Sequence, residues 1–255
     1  MAKRGLQLWW RGHSTNTWEL TPQVFRAWPR RPARYEANAL NRFRQRAPTR
    51  HANCPTADDF AAWLFLAQHY GLPTRLLDWT KAPLYALFFA VWEPGRDKVD
   101  GTLWGMEPAR LNEVFTGEFC IYHDSDPPAK SLVHAAFTLK APVLNYAVAI
   151  EPDERDARML LQQSRFTIHG DSDSLNSLKH SSTFLDPIVI PARSKPKLRA
   201  QLDDLGITRS SLFPDLSNLA IELKDGSWSA SPWETESANR EQQAQERPTS
   251  KQGDT

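Results

Sequence analysis

Seven ionisable or hydrogen-bonding side chains, His69, Tyr70, Thr74, Arg75, Asp78, Trp79 and Thr80, lie in one short stretch between two very apolar runs. Polar groups on a rigid apolar scaffold are where binding and catalysis concentrate. His69 with Asp78 has the composition of an acid–base pair, and with the hydroxyl of Ser14 or Thr80 that of a nucleophile and its base. Arg11 follows an early apolar run, where its fork of five fixed donors suits phosphate or carboxylate. Each residue also has a plain structural reading: Asp78 and Thr80 as helix caps, His69 as a core histidine, Arg11 as half of a salt bridge. No Gly-x-Ser-x-Gly elbow, phosphate loop or zinc motif accompanies them, which disfavours hydrolase and NTPase chemistry. His51, His123, His134, His169 and His180 lack ligand spacing, so no metal is expected.

The elements that must position these residues follow from apolar periodicity and its punctuation. Asp59–Gln68 reads as a helix entered through Thr56-Ala57-Asp58-Asp59, a capping-box-like pattern, and stopped by Gly71 and Pro73. A short extended piece leads to a second helix near Thr80, with Pro83 in its first turn. Leu6–Gly12 reads as a buried strand, Val24–Arg26 as a short helix or turn after Pro22, and Arg34–Arg46 as a helix. Further strands are expected at Gly101–Met106, Val143–Ile150, Phe166–Gly170 and Phe184–Ile190. Helices are expected at Asp153–Gln163, from Ser194 to Gly206, and from Pro214. Residues 108–132 read as irregular or partly helical, with Asp124–Pro128 as loop. This loose alternation predicts an α+β (or mixed α/β) fold in a single domain, residues 1–224. Residues 225–255, rich in Ser, Glu, Gln, Pro and Arg, read as a disordered polar tail.

Charge is divided unevenly. Residues 1–50 hold eleven Lys or Arg against two acidic residues, Glu19 and Glu36, whereas the remainder holds twenty against twenty-eight, so a net charge of +1 conceals a basic segment. Eight arginines between Arg26 and Arg50 make that segment a candidate nucleic-acid contact, with a solvated helix face or internal pairing as the structural alternatives. Cys54 and Cys120 fit no disulfide or metal framework, which points to a reducing, cytoplasmic setting. The start of the chain lacks the apolar core of a signal peptide. The longest apolar run, Leu84–Trp92, falls well short of the roughly twenty residues of a membrane span, so no membrane partner is expected.

Trp10-Arg11-Gly12, Trp18-x-Leu20-x-Pro22, Arg26, Glu36 and Phe43 resemble the opening of the FRG domain family, named for its Phe-Arg-Gly start. Gln68–Thr80, followed by Pro83 and Ala86–Ala90, is similar to its central signature. Arg158-x-x-x-Gln162 with Phe166, and Gly206-Ile207 with Leu212–Leu216, resemble its later blocks. The resemblance spans about residues 8–225. Trp10 replaces the family's Phe, while Ser164 and Asn218 stand where Gly is frequent.

A looser resemblance is to the layout of ADP-ribosyltransferase folds. It implies NAD as the substrate, with Arg11 and Gly12 at its ribose or diphosphate, Tyr70 or Trp79 stacked on nicotinamide, and Thr80 supporting the ribose. Asp78 and His69 would complete the central turn, and Gln162 or Glu36 would orient the acceptor. The role so implied is an NAD-consuming toxin or antiphage effector, acting on nucleic acid such as RNA and held in check by an antitoxin protein. A non-catalytic nucleotide- or nucleic-acid-binding module is the alternative.

Overall fold

A computed structural model describes residues 7–26, 34–140, 142, 144–154 and 157–224. The expected tail from Asp225 lies outside the described residues, as do residues 27–33 of the basic segment. The described elements run, in order, β1 (Trp9–His13), α1 (Tyr35–Arg46), α2 (Phe60–His69), β2 (Leu76–Thr80), α3 (Pro83–Val91) and β3 (Gly101–Met106). Then come α4 (Pro108–Thr116), α5 (Pro127–Phe137), β4 (Ala147–Ile150), α6 (Ala157–Leu161), β5 (Ser164–His169), β6 (Leu185–Ile190), α7 (Lys195–Asp204), α8 (Arg209–Leu212) and α9 (Leu216–Lys224). The class is α+β, as expected.

The six strands form one sheet in the order β4-β5-β2-β1-β3-β6, and every neighbouring pair is antiparallel. Four of the five ladders run the length of their strands. The fifth, between β1 and β2, has a single register pair, Trp10↔Thr80. The sheet is therefore two three-stranded halves that meet at one point.

Alternation along the strands sorts side chains to two faces. On one face, α1, α2 and α5 cover the β4-β5-β2 half through a core containing Leu64, Phe65, Leu76, Leu132, Phe166 and Ile168. On the same face, α3 and α7 cover the other half around Ala86, Ala90, Leu103, Ile190 and Leu202. The opposite face buries Trp9, Leu77, Trp79, Met106 and Leu111, partly under α4. Gly12 permits the close seat of α3: a Cβ there would lie 1.8 Å from the Ala86 carbonyl oxygen.

The α2 ending matches the sequence reading in detail. Gly71 is left-handed (φ 78°), with Gly71 N–H donating to Gln68 O and Leu72 N–H to Ala67 O, the paired bonds of a Schellman cap. At the other end of α2 the cap is Asp59 itself, which accepts from Ala62 N at 2.9 Å, in place of the box expected from Thr56. Residues 108–132 differ more: they contain α4 and most of α5, each with proline in its first turn. Pro127 and Pro128, read as loop, open α5, because a missing N–H costs nothing where no intrahelical acceptor exists. The observed strand at 147–150 is also shorter than Val143–Ile150.

Candidate functional site

Where the two helical layers part, a cavity of about 230 Å³ opens at the β1–β2 junction. Its walls include Trp10, Arg11 and Gly12 of β1; Asp78, Trp79 and Thr80 of β2; Phe89 of α3; and Gln162 and Ser164 beside β5. Trp92 and Glu93, just after α3, complete the mouth with Trp18. The convergence is a consequence of register. Trp10, Thr80 and Ser164 are cross-strand neighbours, and α3 approaches them because Gly12 has no side chain.

Arg11 occupies the gap between the diverging strands. Its Nε donates to His13 Nε2 at 3.1 Å and its Nη1 to the Asp78 main-chain oxygen at 2.6 Å. The Asp78 carboxylate stands 3.9 Å from Nη1 and accepts from Gln68 Nε2 at 2.9 Å. Nη2 makes no hydrogen bond to a described residue. Burial lowers the Arg11 pKa against the opposing pull of Asp78, with Arg26 adding to the lowering. The guanidinium nonetheless stays charged at any physiological pH. Burial, and then the Arg11 charge, push His13 down to about 3. The same two causes, in that order and with Arg75 third, push His169 down to about 3. Arg11 is thus a cation among neutral imidazoles, with one donor uncommitted.

Thr80 ties the far wall together: its Oγ1 donates to Gln162 O at 2.6 Å and accepts from Ala82 N at 3.0 Å. The Gln162 side chain donates through Nε2 to Leu212 O at 2.9 Å. Gln163, with φ 47°, carries the left-handed turn from α6 into β5; no glycine is used there. Phe213 stacks on Trp92 at 6.4 Å and meets Phe89 edge-on at 5.9 Å, so the C-terminal helices brace the aromatic wall.

Other expected site residues lie elsewhere or play a different part. Trp79 lines the cavity, but its ring is buried in the opposite-face core and donates to Thr167 Oγ1, so it offers no stacking surface. Tyr70 lies outside the cavity, against His51 and Phe43. Glu36 is buried in the first turn of α1, where Arg75 Nη2 and Nε reach its Oε2 at 2.8 and 3.0 Å and Arg75 N reaches Oε1 at 2.9 Å. Burial pushes the Glu36 carboxyl up against the pull of Arg75. His69 is one step removed, in a recess of about 30 Å³ shared with Asp78, Gln162 and Ser164. Ser14 is buried and its hydroxyl has no hydrogen-bond partner among the described residues, so it cannot serve as an exposed nucleophile.

Sequence reasoning missed the aromatic wall of Trp10, Phe89 and Trp92. The spacing of Phe89 and Trp92, three apart at the end of an apolar helix, was the available signal. It also missed Glu93, which accepts from Arg96 Nε at 2.5 Å while the Arg96 guanidinium sits 4.7 Å over the Trp18 ring. Nor did it find Lys195. This buried amine donates to Ser14 O at 2.7 Å and Arg96 O at 3.0 Å, joining the two loops at the mouth.

Among the described residues, no helix is long and apolar enough to cross a membrane, and no three His, Cys, Asp or Glu side chains gather as a metal site. No curated protein and no solved structure matches the chain. Residues 6–98 match the FRG domain family model. That segment runs from β1 through α3 to the turn beyond it and supplies every wall of the cavity except Gln162 and Ser164. By that match, the chain carries an FRG domain.

Proposed function

We propose that this cavity binds a nucleotide, with NAD as substrate and ADP-ribosyl transfer as the reaction. The observation that carries the reading is Arg11: a half-buried cation with an uncommitted donor, lining a cavity walled by Trp10, Phe89 and Trp92. Charge-assisted bonds to phosphate suit that donor, and aromatic faces suit a flat ring. At about 230 Å³ the cavity is smaller than the roughly 300–1,000 Å³ of pockets that enclose drug-sized ligands. It therefore takes one end of the dinucleotide, with the rest extending through the mouth.

In the transfer, the bond between ribose C1′ and the nicotinamide nitrogen breaks. Its electron pair stays on nicotinamide and neutralises the pyridinium. An acceptor oxygen or nitrogen then bonds C1′ and releases a proton, for which Asp78 and Glu93 are the carboxylates in the wall. Thr80 contributes by fixing the Gln162 backbone, and the aromatic wall by excluding water from the cationic sugar.

A second reading, a nucleotide-binding module without chemistry, is favoured by one contact: the Gln162 side-chain amide is already spent on Leu212 O. Incubation with adenylate-labelled NAD, alone and with cellular RNA, DNA and protein, separates the two. Label moving to one pool, and failing to move with Arg11→Ala, supports transfer. Intact NAD in every tube, with NAD still protecting the protein in thermal melts, supports the module. Absence of both rejects the site. Toxicity on expression, relieved by Arg11→Ala, would accord with an effector restrained by an antitoxin.

A further inference from the structure

A second depression lies on α1, away from the Arg11 cavity and sharing no residue with it. Its volume is about 600 Å³, its floor is apolar (Ala39, Phe43, Leu72), and its rim carries Arg42, Arg46 and Arg50. The three arginines recur every four residues from α1 into the 3-10 turn Ala47–Thr49, so they line one edge about 6 Å apart in rise. All three are exposed, and no described carboxylate pairs with any of them. Arg50 is held in place by its own chain, Nη1 donating to Arg46 O and Thr49 Oγ1, each at 2.8 Å. No described acidic residue lines the depression.

At the opposite rim stands Tyr70, 58% exposed. Its ring is met edge-on by His69 at 5.1 Å and by His51 at 5.8 Å, with Oη 3.3 Å from His51 Nδ1, and at a tilt by Phe43 at 6.5 Å. An exposed aromatic so fixed has little rotamer freedom left to lose when a flat ligand stacks on it. A row of unpaired guanidinium groups facing an aromatic platform across an apolar floor is the arrangement that binds an unpaired base together with its flanking phosphates. A duplex hides its base faces, and an acidic peptide leaves the platform unused.

We propose that this groove binds single-stranded nucleic acid, with the backbone along Arg42, Arg46 and Arg50 and a base stacked on Tyr70. The site is independent of the NAD reading. If NAD is also consumed at the Arg11 cavity, the groove marks the acceptor class.

The test is fluorescence anisotropy on the full chain without NAD, using labelled oligo-U and oligo-dT of about twelve nucleotides, within the usual site size, and a duplex of equal charge. Single strands should bind more tightly than the duplex, RNA and DNA arms showing which sugar is preferred. Three phosphate contacts should give a log–log salt slope of about −2, which Arg46→Gln should reduce by roughly 0.7. Tyr70→Ala should weaken binding about 10-fold with the slope unchanged, whereas Tyr70→Phe, which keeps the ring, should bind like the parent. Thermal melts establish that each variant is folded at the assay temperature, so that the losses read binding. Equal affinity for duplex, equal displacement by polyglutamate, or unchanged affinity in both Arg46→Gln and Tyr70→Ala would overturn the proposal.

Discussion

The Arg11 guanidinium donates to the main-chain oxygen of Asp78 at 2.6 Å, across the gap where β1 and β2 stop pairing. A side chain thereby replaces ladder hydrogen bonds beyond Trp10↔Thr80 while lining the cavity, with Nη2 bonded to no described residue. Lysine cannot reproduce this, because one ammonium cannot span His13 Nε2 and the Asp78 oxygen while presenting a further planar donor. Arg11→Lys should therefore weaken nucleotide binding by about 1.5–3 kcal/mol, the usual worth of a charge-assisted hydrogen bond, read by calorimetric titration. Affinity equal to the parent would remove Arg11 from the binding site.

Gly12 sets the distance between β1 and α3. In Gly12→Ala the new Cβ would fall 1.8 Å from Ala86 O and 2.6 Å from Ala90 N, both main-chain atoms that cannot rotate away. We expect a loss of about 3 kcal/mol in denaturant unfolding, at the upper end of overpacking penalties, with the cavity distorted as α3 moves. Unchanged stability would mean that α3 is not seated as described.

Glu36 and Arg75 form a buried pair that does not line the cavity, so their removal should affect folding and spare binding. Glu36→Ala leaves the Arg75 charge without its carboxylate and should cost about 3–5 kcal/mol, measured by urea unfolding. Under conditions where the variant remains folded, nucleotide affinity should match the parent. A selective loss of affinity would instead give Glu36 the acceptor-orienting role that the sequence resemblance implied.

His13 and His169, both held near 3, make stability depend on pH in a fixed direction. The unfolded chain protonates near pH 6.5, while the folded chain refuses the proton until about pH 3. Their stabilisation is thus present above pH 6.5 and is lost as pH falls. The loss should be about 1.4 kcal/mol per pH unit for each imidazole between those values, or ~2 kcal/mol each from pH 7 to 5. His169→Gln should lower the parent's slope by about 1.4 kcal/mol per pH unit, a difference in which the contribution of Glu36 cancels. An unaltered slope would show that His169 titrates normally.

The central turn was the most legible part of the fold, because Gly71, Pro73 and Pro83 punctuate it with backbone requirements that few other residues meet. Arg11, Thr80 and Gln162 were legible as chemical types, and they share one cavity. The facing of Trp79 was not: alternation places its ring on one face or the other only once the pairing with β5 is known, and that pairing joins residues far apart in sequence. Glu36 and Arg75 are each suggestive alone, and nothing local shows that they satisfy each other across 39 positions. The helices in 108–137 were obscured by prolines that, in a first turn, support the structure they elsewhere break.

The single pair joining β1 to β2 bears on what can be excised. The segment matching the FRG model, residues 6–98, contains two of the six strands, and those two share only Trp10↔Thr80. Their long ladders are to β3 and β5, which enter the chain after residue 98. Expressed alone, that segment would display both strands with open edges and, opposite α3, a bare apolar face, and would be expected to aggregate. The smallest autonomous unit must therefore extend at least through β6, well beyond the boundary that sequence similarity draws.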